Sequence, residues 1–203
     1  MISQEEAIKQ LAEIKKLGGN MRLAADGWDE EWKTLIATLM SARTTDKKTI
    51  PIAEELFKKF NNLNKLSKAN VKDIENIIRS VNFYKTKSKN ILNLSKILVK
   101  EYDKKVPHDF NKLIELPGVG RKTANVFLAV YGHDKIGVDT HVEYISRKIG
   151  WTKGKNQEQI ETDLQKLFPQ KKWRDINWIL VSFGQTYKSR KQQDEIIDKL
   201  KKI

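Results

Sequence analysis

The sequence predicts an all-α protein, on three observations. Apolar residues recur at three- and four-residue spacing in almost every segment. No stretch alternates apolar and polar residues between hairpin turns. Proline and glycine are sparse, four and ten in 203 residues, so no long flexible linker breaks the pattern.

The elements follow in chain order. Ser3 to Leu17 places Ala7, Ile8, Leu11 and Ile14 on one face, and Ser3 with Glu6 has the pattern of a capping box. Gly18-Gly19 is expected to end that helix in the manner of a C-terminal glycine. Trp32, Leu35, Ile36 and Leu39 mark a second helix, entered from Asp26-Gly27-Trp28-Asp29. Ile52, Leu56 and Phe57 mark a third that starts near Asp46, and Ile74, Ile77 and Ile78 a fourth. Ile91, Leu94, Ile97 and Leu98 mark a long fifth running towards Tyr102. A short helix from Asp109 to Glu115 precedes a glycine-rich turn, and another, starting near Arg121, carries Val126, Leu128, Ala129 and Tyr131. Later helices are expected over Thr140–Ile149, Gln157–Phe168, Trp173–Thr186 and Gln192–Lys202.

Composition narrows the function classes. There is no cysteine, which excludes disulfides, cysteine nucleophiles, zinc fingers and thiolate-held iron–sulfur clusters. Three histidines argue against a histidine-rich metal site. No run approaches the ~18 apolar residues of a membrane span. The opening Met1-Ile2-Ser3-Gln4-Glu5-Glu6 lacks the basic-then-apolar order of a signal peptide. The expectation is a cytoplasmic protein, nucleoid-associated in a prokaryote, with no membrane partner and monomeric. Lys and Arg number 39 against 26 Asp and Glu, a net charge of +13. Such charge points to a polyanion, most simply nucleic acid. It is not confined to the ends: Phe83 to Lys122 holds nine Lys and one Arg against two Glu and two Asp. A lysine-rich solvated surface would look the same, so charge alone does not decide.

The most informative segment is Leu116-Pro117-Gly118-Val119-Gly120-Arg121-Lys122-Thr123-Ala124. Proline and glycine stop one helix, and Gly118 and Gly120 allow positive φ and close approach of another backbone. Val119 would plug the turn into the core. The next helix presents its first N–H groups and the positive end of its dipole, with Arg121 and Lys122 beside them, which suits a phosphate. A lone GxG would be an ordinary helix–turn–helix corner; the nine-residue context with two cations favours the phosphate cradle.

This stretch resembles the helix-hairpin-helix of the endonuclease III-like DNA glycosylases. Leu35-Ile36-Ala37-Thr38-Leu39-Met40-Ser41-Ala42-Arg43-Thr44-Thr45-Asp46 resembles an early helix and loop of that family. Ile78-Arg79-Ser80-Val81-Asn82-Phe83-Tyr84-Lys85 resembles its DNA-wedge region, and Val138-Asp139-Thr140-His141-Val142 its aspartate segment. The likeness runs from about Trp32 to Gly184. It implies a two-lobed helical fold with a DNA-binding cleft between the lobes. Residues 22–132 would form the lobe with the hairpin, and residues 1–21 plus 133–203 the second.

The resemblance also implies a chemistry. Lys122 would attack C1′ of a damaged nucleotide, release the base and form a Schiff base that permits β-elimination. The attack needs a neutral amine. Asp139, 17 residues on, would stabilise positive charge at the sugar or help move the nucleophile's proton. It also fits a plain N-cap, and the two roles are compatible. Gly118, Val119, Gly120 and Arg121 would dock the phosphate backbone, with His141 as a secondary contact. Phe83 aligns with the apolar wedge and Arg43 falls where the family usually has a gap-filling glutamine, so the damage spectrum is open. Phe83 equally fits a core aromatic.

No cysteine stands in Gly184-Gln185-Thr186-Tyr187-Lys188-Ser189-Arg190-Lys191, where the family commonly holds a cluster. The tail must then be held by packing, through Tyr187, Ile196, Ile197 and Leu200. No cofactor is expected beyond a main-chain Na⁺ or K⁺ at the carbonyls of Ile114, Leu116 and Val119. Adenine-mismatch relatives lack the lysine and carry a glutamate where this chain has Thr38. The expected activity is therefore that of a bifunctional DNA glycosylase/AP lyase. Its partner is double-stranded DNA bearing a damaged base, an oxidised pyrimidine first, or an abasic site. The alternatives are an 8-oxoguanine-type glycosylase/lyase and a non-catalytic helix-hairpin-helix DNA-binding protein.

Overall fold

The computed structural model describes residues 2–203. Among them every regular element is helical, and they divide into two compact units. One unit is Arg22–Phe127; the other is the chain up to Met21 together with Leu128–Ile203.

The Arg22–Phe127 unit contains α2 (Glu31–Ser41), α3 (Asp46–Lys59), α4 (Leu63–Ser67), α5 (Val71–Ile78), α6 (Tyr84–Glu101), α7 (Phe110–Glu115) and most of α8 (Arg121–Val130). Helix α2 is its centre: every residue from Thr34 to Met40 is buried. Helices α3 and α6 pack on α2, and α4 and α5 pack on α6. Trp28 and Trp32 meet Phe57 edge-on, at 4.9 and 5.3 Å between ring centroids, which ties the entry to α2 onto α3.

The other unit gathers α1 (Gln4–Leu17), α9 (Thr140–Ile149), α10 (Gln157–Leu167), α11 (Trp173–Thr186) and α12 (Arg190–Leu200), with a 3-10 turn at Gln170–Lys172. Its core runs from Ala7, Leu11 and Ile14 through Val142, Ile145 and Ile160 to Leu180, Phe183 and Ile197. The capping box of α1 forms in full, Ser3 and Glu6 each taking the other's backbone N–H. Gln10 explains why the first helix belongs with the last. Its side chain, 2% exposed, donates to Leu200 O at 3.1 Å and accepts from Trp151 Nε1 at 2.8 Å. A buried amide with both ends satisfied fixes three chain segments at once.

Helix α1 ends at Gly18, where the glycine pair puts its end. Gly18 has φ −70°, not left-handed, and its N–H donates to Ile14 O at 2.9 Å. Its lack of a side chain serves packing: a Cβ there would stand 3.2 Å from Phe183 N. The tail is held as well by polar contacts as by Ile197 and Leu200. Gln193 donates to Gly184 O at 3.2 Å and to Tyr187 O. Tyr144 on α9 donates to Asp194, Arg190 lies 3.6 Å over the Tyr144 ring, and Lys148 reaches Asp194 at 3.4 Å.

Candidate active site and nucleic-acid interface

In the Arg22–Phe127 unit, α7 closes on Leu116, whose N–H donates to Leu113 O at 3.1 Å; Val119 N–H then donates to Leu116 O at 3.0 Å. The turn requires Gly118 twice over. Its φ is +78°, and a Cβ would come within 2.7 Å of Asn90 Nδ2 and 2.8 Å of Leu39 Cδ1. Val119, 4% exposed, anchors the turn in the core. Gly120 has the room for close approach but not the positive φ: nothing lies within 4 Å of where its Cβ would be. Its carbonyl accepts Ala124 N–H at 3.0 Å, so it stands at the N-cap of α8, without a side chain to offer the first N–H groups.

Arg121 and Lys122 open α8, both half-buried. The Arg121 guanidinium lies 5.1 Å over the Phe110 ring, which links the two helices of the hairpin. Lys122 Nζ makes no hydrogen bond or ion pair to any described residue, so its amine is uncommitted. Ile114 is exposed and Leu116 buried.

The two loop residues expected at the DNA stack lie side by side in this unit. Arg43 has φ 57° and Phe83 φ 60°, both left-handed and both non-glycine. Such backbone costs on the order of 1–3 kcal/mol per residue and persists only where neighbours impose it. Here Asn82 imposes it: its side chain donates to Arg43 O, and its N–H donates to Thr44 Oγ1 at 3.2 Å. The Arg43 guanidinium sits 5.8 Å from the Phe83 ring centroid. Phe83 is 61% exposed, which removes the core-aromatic alternative.

A residue not singled out by sequence lies beneath these loops. Lys87 is 7% exposed, and its ammonium donates to Met40 O at 2.7 Å and Ala42 O at 2.6 Å, at the C-terminal end of α2. Burial, and after it the positive charge of Lys122, pull the Lys87 pKa down to about 8. The signal was present: Lys87 is in line with Ile91, Leu94 and Leu98 on the buried face of α6.

In the other unit, Asn177 donates to Gly137 O at 2.7 Å and Ile136 and Val138 are buried, so the chain arrives at α9 fixed. Asp139 caps α9. One carboxylate oxygen, Oδ1, accepts from both His141 N and Val142 N at 2.9 Å, and Oδ2 has no partner among the described residues. Asp139 is half-exposed. His141 turns its Nδ1 inward, buried and without a hydrogen bond, against α11. A Cβ at Gly184 would be 2.1 Å from that nitrogen. Gly184 therefore makes room for the imidazole, a pairing 43 residues apart in the chain that local pattern does not reveal.

Among the described residues no group of His, Asp and Glu could hold a metal ion, and no helix is long and apolar enough to cross a membrane.

The family model of the HhH-GPD superfamily base excision DNA repair proteins matches residues 36–170. Endonuclease III of Thermotoga maritima is 38% identical over 156 residues, 76% of this chain and 73% of that protein. Endonuclease III of Synechocystis is 35% identical over 183 residues, 89% and 83% of the two chains. A solved structure of a trapped endonuclease III–DNA covalent intermediate superposes with a TM-score of 0.85 at 30% identity, covering 93% of this chain and 89% of that one. A thermostable thymine-DNA glycosylase shares the fold, with a TM-score of 0.81 at 16% identity over 97% and 94%. The chain thus belongs to the HhH-GPD superfamily of base excision DNA repair proteins, as an enzyme of the endonuclease III-like DNA glycosylase kind.

Proposed function

We propose that the protein is a bifunctional DNA glycosylase/AP lyase acting on double-stranded DNA, with oxidised pyrimidines as its first substrates. The observation that carries this reading is Lys122: an uncommitted amine in the first turn of α8, directly behind the Gly118-Val119-Gly120 turn. The turn and the start of α8 bind phosphate oxygens and set the register of the duplex, while the damaged nucleotide leaves the stack. The Lys122 amine attacks C1′. The N-glycosidic bond breaks, the base departs with a proton, and the opened sugar is left as a Schiff base on Lys122. Loss of a proton from C2′ expels the 3′ phosphate, and water returns the free lysine. Asp139 opposes the positive charge that develops at the sugar, through the oxygen not used to cap α9.

A main-chain Na⁺ or K⁺ belongs to the same proposal, at the carbonyls of Ile114, Leu116 and Val119. The Leu116 carbonyl accepts the Val119 N–H and has a second lone pair left for such a cation.

Borohydride reduction of the protein with DNA containing an abasic site tests the reading. A covalent complex that maps to Lys122 is expected. Folded protein that binds this DNA but gives no complex would instead be a docking module without chemistry. Duplexes each carrying one defined lesion, thymine glycol and 8-oxoguanine among them, then rank the substrates.

A further inference from the structure

The Arg43 and Phe83 turns are the only neighbouring pair of non-glycine, left-handed residues on separate loops among the described residues. Asn82 ties them at the surface. Beneath, the end of α2 leaves backbone carbonyls without helical partners. Lys87 meets two of them, Met40 O and Ala42 O, from the first turn of the helix that Phe83 caps. One turn further along α6, Asn90 fills the space against Gly118. The first two turns of α6 therefore join the loop of Arg43, the turn of Phe83 and the hairpin that precedes Lys122.

The choice of a lysine is costly. Its ammonium is buried, no carboxylate among the described residues pairs with it, and Lys122 adds like charge. A methionine of similar length would fill the same space without that cost. What only the ammonium supplies is a charged donor gripping two carbonyls that lead directly into the Arg43 turn.

We propose that Lys87 is a positioning residue for base extrusion: its buried ammonium locks the end of α2, and with it Arg43, to the helix that begins at Phe83. The inference rests on the glycosylase reading above. The locked pair enters the stack as a unit, and Lys87 touches neither DNA nor the reacting atoms. Loss of the lock lets the Arg43 turn relax towards ordinary backbone and away from Phe83. The step that suffers is opening the duplex; phosphate docking and the Lys122 chemistry are spared.

Single-turnover excision of one lesion, fully paired and in a bulge, separates these effects. Lys87→Met and Lys87→Gln should slow excision from the paired duplex by about tenfold or more, the scale on which small misplacements act. On the bulged lesion, already unstacked, the loss should be within about threefold, since extrusion there costs less. Borohydride trapping on an abasic site in a bulge and the salt dependence of binding to intact duplex should stay at parental values. If the Lys87 variants do not fold, Asn82→Ala, at an exposed position, cuts the other tie between the same loops and must give the same split. Equal losses on both substrates, or no loss on either, overturn the proposal. Parental protein that neither excises nor traps overturns the glycosylase reading itself, which is a different outcome.

Discussion

Helices α8 and α9 begin 19 residues apart, and their N-termini are finished in opposite ways. Helix α9 is closed by Asp139, whose Oδ1 takes the N–H groups of His141 and Val142. Helix α8 starts behind Gly120, which has no side chain, and Arg121 and Lys122 stand at the positive end of its dipole. The first arrangement satisfies the helix from within and leaves one carboxylate oxygen over. The second leaves room for an anion from outside. The same local rule, that a helix start needs acceptors, thus produces a fixed carboxylate in one place and an open, positively charged end in the other.

The strongest way to break this comparison is to remove the cation that the open end presents. Lys122→Gln should abolish base release and borohydride trapping, while duplex binding falls only modestly because the turn and its N–H groups remain. Trapping that persists in this variant would move the nucleophile elsewhere. On the closed end, Asp139→Asn should slow excision by orders of magnitude and leave the melting temperature near the parent's, since an amide oxygen still caps. Asp139→Ala should lose the cap as well, at about 1 kcal/mol of stability. If Asp139→Asn excises at the parental rate, Asp139 is a cap and nothing more.

The glycines sharpen the comparison at a smaller scale. Gly118→Ala must hold a left-handed φ and push a Cβ into Asn90 and Leu39, so it should destabilise the fold by about 1–3 kcal/mol or more. Gly120→Ala should change stability by less than about 1 kcal/mol, because its Cβ meets open space. Gly120→Asp would give α8 the finish of α9. Its fold should hold, yet its affinity for all duplexes should fall, on paired and bulged lesions alike. Urea denaturation and salt-dependent binding read the two properties separately. Equal destabilisation by Gly118→Ala and Gly120→Ala would undo the distinction between them.

How much of this was legible in the sequence depends on whether the deciding contact is local. The capping box of Ser3 and Glu6, the span of α11 and the cap at Asp139 all rest on neighbours a few residues apart, and each is where the pattern puts it. Helix α4, Leu63–Ser67, is too short for its period to register, although Asn62 caps it through Lys65 N. Helix α12 begins at Arg190, two residues before the apolar pattern suggests, and it is Gln193 and Asp194 that seat that end. Gly18 ends α1 as the pattern suggests, but with φ −70° and a packing need for its missing side chain; Gly120 has the room for close approach without the positive φ. At Gly18 the residue type was informative and its reason lay in Phe183, far along the chain. Lys87 was visible as a lysine on an apolar stripe, but its acceptors, Met40 and Ala42, are over 40 residues away.

The last effect concerns that lysine and the pH. The ordinary lysine value is 10.5, and in the folded protein Lys87 is held at about 8. Below pH 8 the group is protonated in both folded and unfolded chains, and the folded state bears the full cost of the buried charge. Between about 8 and 10.5 the unfolded chain binds more protons than the folded one, so stability rises with pH. Above that window both forms are neutral and the cost has gone, while a neutral amine still donates to two carbonyls. The informative quantity is the difference between the parent and Lys87→Met, in which every contribution but that of residue 87 is shared. That difference should move in the parent's favour by on the order of 1 kcal/mol between pH 8 and 10 in urea unfolding. Curves that stay parallel would mean that Lys87 carries no buried charge. The start of α8 would then owe its positive character to Arg121 and Lys122 alone.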